Sequence, residues 1–96
     1  MRESTIEQYL CDRVKAMGGE VRKVKWIGRR GAPDRLVMLP ATGEVIGYPP
    51  RAFWVEFKAP GEKAKPHQAR EHERMRRMGQ RVVVIDSIEG VDEVLQ

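Results

Sequence analysis

The chain has 96 residues, 41% apolar and 33% charged, which fits one domain spanning 1–96 with a modest core and argues against a disordered chain. No stretch approaches the ~20 apolar residues of a membrane span, and no apolar signal region opens the chain, so it reads as intracellular and cytoplasmic; a single cysteine, Cys11, excludes an internal disulfide and a Cys-rich zinc site, and two histidines argue against a His-built one. Eighteen Lys and Arg against fourteen Asp and Glu give +4, concentrated in residues 21–81, which hold fifteen bases and six acids; this suits a polyanionic partner, or else a merely solvated basic surface.

In chain order, Ser4 followed by Glu7 fits a capping box, and Ile6, Leu10, Val14 and Met17 recur at helical spacing. A first helix is therefore predicted over about 5–17, ended by Gly18-Gly19. Residues 20–27 read as a first strand, and residues 28–33 as a loop rich in glycine and base. Residues 34–39 are a second strand. The turn-rich stretch 40–51, with Gly43, Gly47 and Pro49-Pro50, reads as a hairpin connection. Residues 52–58 form a third strand, dense in aromatic and β-branched types.

After a loop, Pro66 suits the first turn of a helix running to about Met78, with Gly79 as its cap. Residues 81–86, RVVVID, are a strand whose valine run predicts burial on both faces and an interior place in the sheet. Ser87 can cap a last helix reaching Leu95. The order α-β-β-β-α-β-α describes a small α/β domain with a mixed sheet, its last βαβ step a parallel crossover.

Three polar residues stand out. Asp34 follows Pro33 at the start of the second strand, and Glu56 and Lys58 share one face of the third. Phe53, Val55 and Phe57 take the opposite face. Taken singly, Asp34 is an ordinary turn residue, and Glu56 and Lys58 an ordinary solvent-facing pair. Together they bring two carboxylates and an ammonium to one place. Two carboxylates and a backbone carbonyl, that of Phe57, make an oxygen-rich site suited to Mg²⁺ or Mn²⁺. A bound ion lowers the pKa of water and steadies charge on a phosphate. Lys58 would then position the attacking water or stabilise the phosphorane.

Gly31-Ala32-Pro33-Asp34 followed by Glu56-Phe57-Lys58 matches the Pro-Asp…(Asp/Glu)-x-Lys pattern of the PD-(D/E)XK nuclease superfamily. With the run from Lys58 through Pro66 to Gln68, then Gly79 and RVVVID, the chain resembles the virus-type replication-repair nuclease family, VRR-NUC. The resemblance extends from Glu7 to about Asp86 and implies an αβββαβ core. It implies a metal-dependent endonuclease acting on DNA, with Asp34, Glu56, Lys58 and Gln68 catalytic. Gln68 also has its own argument, since it lies between His72 and Met75 on the inward face of its helix. It is a core glutamine with satisfied partners, a residue near an exposed helix start or, as the resemblance implies, an active-site group.

Glu7 has two readings as well. It is the N3 member of the capping box, or it is the acid on the first helix that in this family helps hold the metal. Arg29, Arg30, Lys63 and Lys65 lie on loops flanking the motif and are candidates for gripping phosphates, each otherwise a solvated loop residue. Trp26 and Trp54 read as core or as surfaces that stack on bases or a partner subunit; core is the reading preferred for Trp26, and Trp54, sharing the face of Glu56, is more open. His67 and His72 read as structural. The resemblance further implies a homodimer acting on branched DNA such as four-way junctions, and a phage or prophage origin. A flap- or end-directed monomer, a non-catalytic nucleic-acid-binding module and a basic assembly protein are the competing readings.

Overall fold

The computed structural model describes residues 1–43 and 47–96. Its elements run α1 (Glu3–Ala16), β1 (Glu20–Lys23), β2 (Arg35–Leu39), β3 (Arg51–Phe57), α2 (Pro66–Arg77), β4 (Val82–Ile85) and α3 (Ile88–Leu95). The four strands form one sheet in the order β1-β2-β3-β4. The first two pairings are antiparallel and β3 with β4 is parallel. This is the mixed-sheet α/β fold read from the sequence.

Strand alternation divides the sheet into two faces. Val37, Leu39, Phe53, Val55, Phe57 and Ile85 pack with Ile6, Leu10 and Val14 of α1 and Val91 and Leu95 of α3. That face is the apolar core. The opposite face carries Trp54, Glu56 and Lys58 and is covered by α2, whose inward residues are Glu71, His72 and Met75. The polar residues of β3 therefore lie beneath a helix.

Several local expectations hold. Gly18 and Gly79 follow α1 and α2 with positive φ. Ser87 caps α3, its hydroxyl accepting from the Gly90 N–H at 2.9 Å.

Others are corrected. Helix α1 begins at Glu3 with Arg2 as its cap, so Ser4 lies inside the first turn and the capping box does not form. The carboxylate of Glu7 accepts instead from Arg35. Strand β1 is shorter than 20–27: after Val24 donates to the Asp34 carbonyl, the chain leaves the sheet. The valine run of β4 occupies an edge, not an interior position. Helix α2 lies over one face of β4 and α3 over the other, so burial of its faces does not require neighbours on both sides. Val84 stays 38% exposed, and the open edge is partly closed by Arg76, whose side chain donates to the Val82 carbonyl. The hairpin connection expected over 40–51 includes 44–46, outside the described residues. Among the described residues, no helix is long and apolar enough to cross a membrane.

Candidate active site

The site begins with a register. Arg35 pairs with Val55, so one step further Asp34 lies opposite Glu56 and Pro33 opposite Phe57. The Asp34 carbonyl turns the other way, to the Val24 N–H at 2.9 Å. Asp34 and Glu56 are thus a non-hydrogen-bonded pair, the kind in which facing side chains come closest. At the next step the ladder would call for an N–H on residue 33, pointed at the Phe57 carbonyl. Proline has none. The Phe57 oxygen is left without a ladder donor, beside the two carboxylates.

The segment carrying Asp34 is held firmly. Gly31 has φ +85°, and a Cβ there would lie 2.9 Å from the His67 carbonyl and 3.2 Å from the Gln68 Cα. Only glycine lets the loop press this closely on the start of α2. Arg29 reaches across to the buried Glu71 carboxylate at 3.2 Å, which Arg74 also holds at 2.8 Å. Arg29 is therefore engaged in fastening the loop to α2. Trp26 donates its indole N–H to the Pro33 carbonyl at 2.8 Å and packs against Trp54, with ring centroids 5.2 Å apart. Trp26 lies in this half-buried pair, outside the apolar core.

Lys58 and Gln68 meet on the covered face. The Lys58 side chain is nearly buried and its Nζ donates to Gln68 Oε1 at 2.8 Å. The same oxygen accepts the Lys65 backbone N–H at 2.9 Å, at the start of α2. One glutamine oxygen thus ties the motif lysine to a helix terminus, and the amide nitrogen remains available.

Glu56 carries the strongest electrostatic signature. Its carboxyl is pushed up to about 6, first by burial and then by the charges of Asp34 and Glu3, against the opposing pull of Lys58 and Arg35. Burial outweighs the positive charge that Lys58 and Arg35 bring to this carboxylate. Glu3, one turn before Glu7 on α1, was not singled out in the sequence; the i, i+4 spacing of the two acids was the available signal. Arg35 bridges the acids: its Nε donates to Glu7 at 2.8 Å, and a second nitrogen lies 2.9 Å from an Asp34 carboxylate oxygen. His72 adds an unexpected neighbour. It is 1% exposed, and its Nε2 lies 3.5 Å from Glu56 Oε1.

A divalent cation suits this set. The half-buried Glu56, the facing Asp34 and the Phe57 carbonyl, which Pro33 leaves without a ladder donor, are all hard oxygen ligands. Among the described residues, no group of three or more His, Cys, Asp or Glu side chains gathers as a metal centre. Two carboxylates and a main-chain oxygen are what the arrangement offers.

The surroundings are cationic. Arg30, Lys63 and Lys65 are exposed on the loops flanking Asp34 and Lys58. His67, at the start of α2, is held below its ordinary pKa by desolvation and then by Arg30, Lys65, Arg70 and Lys58. These charges converge over one end of the helix.

No family model matches the chain. A solved structure described as "VRR_NUC domain" matches with a TM-score of 0.77 at 40% identity, covering 97% of this chain and 92% of that one. "Putative nuclease p44" of Acyrthosiphon pisum secondary endosymbiont phage 1 is 47% identical over 87 residues, covering 91% of this chain and 85% of that protein.

Proposed function

The chain belongs to the VRR-NUC family, and from that membership we propose that it is an endodeoxyribonuclease hydrolysing DNA phosphodiesters with Mg²⁺ or Mn²⁺. The observation that carries the reading is the facing of Asp34 and Glu56, with Lys58 following on the same face and fixed by Gln68.

In this reading Asp34, Glu56 and the Phe57 carbonyl would hold the ion, and Glu7 would join the acidic set as the carboxylate that shares Arg35 with Asp34. Bound there, a divalent ion would supply a more acidic water and charge neutralisation at the phosphate. Lys58, its ammonium fixed and largely shielded from water, orients the attacking water and carries charge that develops on the phosphate oxygens. Gln68 positions that ammonium through its oxygen and offers its amide N–H groups toward the phosphate. Arg30, Lys63 and Lys65 grip neighbouring phosphates. Arg29, already paired with Glu71, contributes mainly by holding the loop.

We assign branched DNA, four-way junctions in particular, as substrate, and a homodimer as the working form. Two copies related by a two-fold axis would present two sites to a symmetric junction. A cytoplasmic, phage-encoded enzyme accords with the phage source of the p44 relative.

The test is cleavage of labelled duplex, flap and four-way-junction DNA with Mg²⁺, Mn²⁺ or chelator, with light scattering for mass. Metal-dependent paired nicks on the junction are expected, abolished by Asp34→Asn with the fold intact. Absence of cutting on every substrate with either ion would refute the nuclease reading. Cutting by a monomer confined to flaps would refute the junction assignment.

A further inference from the structure

Beside Asp34 the surface opens into a groove of about 590 Å³, lined by Lys23, Val24, Lys25, Trp26, Ala32 and Asp34. That volume lies within the ~300–1,000 Å³ typical of small-ligand sites. The lining is of three kinds. Lys23 and Lys25 are exposed cations on the rim. Trp26 supplies an aromatic wall. Asp34 joins the groove to the motif carboxylates, so whatever lies in it adjoins the reacting phosphate.

Trp26 narrows the choice of occupant. Its N–H is engaged by the Pro33 carbonyl and its ring is braced against Trp54 at a tilt of 47°. The indole is fixed and has no donor left, so what it offers is its π face. A π face stacks on any base without reading its identity. Bases within a continuous duplex already cover one another, so only an unstacked base can use it.

We propose that this groove is a subsite for an unpaired nucleotide of the substrate DNA, its base on Trp26 and its flanking phosphates on Lys23 and Lys25. The assignment rests on the nuclease reading and deepens it. It makes the enzyme select DNA whose base pairs beside the cut are absent or readily opened, as at the branch point of a junction, independently of sequence.

The experiment titrates the metal-free protein with a short oligothymidylate and with a blunt duplex of equal length, following indole emission. The oligothymidylate is expected to quench the emission, and the duplex to bind without quenching. Trp26→Phe keeps a stacking surface and leaves Trp54 as the one indole; affinity, read from a fluorescently labelled oligothymidylate, should stay within about threefold while most of the indole quenching is lost. Trp26→Leu should weaken oligothymidylate binding by about tenfold and spare duplex binding. The double change Lys23→Ala with Lys25→Ala, at exposed positions that spare the fold, should lower the salt slope for the oligothymidylate by ~1.4.

Quenching undiminished in Trp26→Phe overturns the proposal, as does an equal loss on both DNA forms in Trp26→Leu. If the leucine variant does not fold, the phenylalanine and double-lysine variants decide. The titration involves neither metal nor cleavage. A protein that is quenched but cuts nothing keeps the subsite and loses the nuclease reading; one that cuts branched DNA without quenching loses the subsite alone.

Discussion

His72 Nε2 faces Glu56 Oε1 across 3.5 Å, and among the described residues this buried nitrogen has no hydrogen-bond partner. A buried polar atom without a partner costs about 1–3 kcal/mol. Burial and then the charge of Arg76 hold the imidazole below its ordinary pKa, so near neutral pH it can approach Glu56 only as a neutral donor. A slight closure would turn the contact into a hydrogen bond that orients the carboxylate. His72→Leu, of similar bulk, should therefore keep or raise the melting temperature while slowing cleavage about tenfold. Thermal melts and single-turnover rates measured together check both halves.

The raised Glu56 pKa makes a statement about pH. The folded carboxyl titrates at about 6, above its ordinary value of 4.5. Between those values the folded chain holds a proton the unfolded chain has released, so metal-free stability should fall as pH rises through this window. It levels off above it. Glu56→Gln removes the penalty and should be more stable than wild type above pH 6 by about 1–2 kcal/mol, with no difference below pH 4. Urea denaturation at pH 4, 5, 6 and 8 measures this. A constant difference across the series would exclude ionisation as the cause.

Arg35 acts as an internal cation for Glu7 and Asp34. Its side chain lies on the core-facing side of β2, in line with Val37 and Leu39, and is 16% exposed. Arg35→Met should fit the space but leave Glu7 and Asp34 without a counter-charge, at a cost of about 1–3 kcal/mol. The loss should shrink on adding Mn²⁺, because the ion replaces the missing charge. The expected signature in differential scanning fluorimetry is a lower metal-free melting point with a larger Mn²⁺-induced rise than wild type shows.

The Lys58–Gln68 bond separates chemistry from scaffolding. Lys58→Met should reduce cleavage by 10²-fold or more, the scale of a lost electrostatic group at a reacting centre, with little change in cation binding. Gln68→Leu removes both the acceptor for Lys58 and the partner of the Lys65 N–H. It should lower stability by about 1 kcal/mol and also slow cleavage. Calorimetry with Mn²⁺ alongside cleavage assays distinguishes the two variants.

Much of this was legible in the sequence because strands alternate. Glu56 and Lys58 on one side and Phe53, Val55 and Phe57 on the other needed no structure to separate, and both faces lie as that pattern demands. Gln68 on the inward face of α2 was legible through helical spacing, although its bond to Lys58 depends on how the helix lies across the sheet. His72 was harder to see. It shares the Gln68 face one turn on, but its nearness to Glu56 is a crossing of helix over strand that spacing does not encode. Arg35 was hidden for the opposite reason, as a charge at a position where alternation expects core. The Ser4 capping box failed because Glu7 had a better partner in space, a guanidinium 28 positions away.

Pro33 is usually thought of as shaping the turn before an acid. Opposite Phe57 its effect is subtractive, because it withholds one rung from the β2–β3 ladder. Any other residue there would bring an N–H, and that hydrogen would plug the carbonyl that faces the carboxylates. The motif proline thus keeps an oxygen idle. A sheet zipped one residue further would be a better sheet and a poorer seat for a cation.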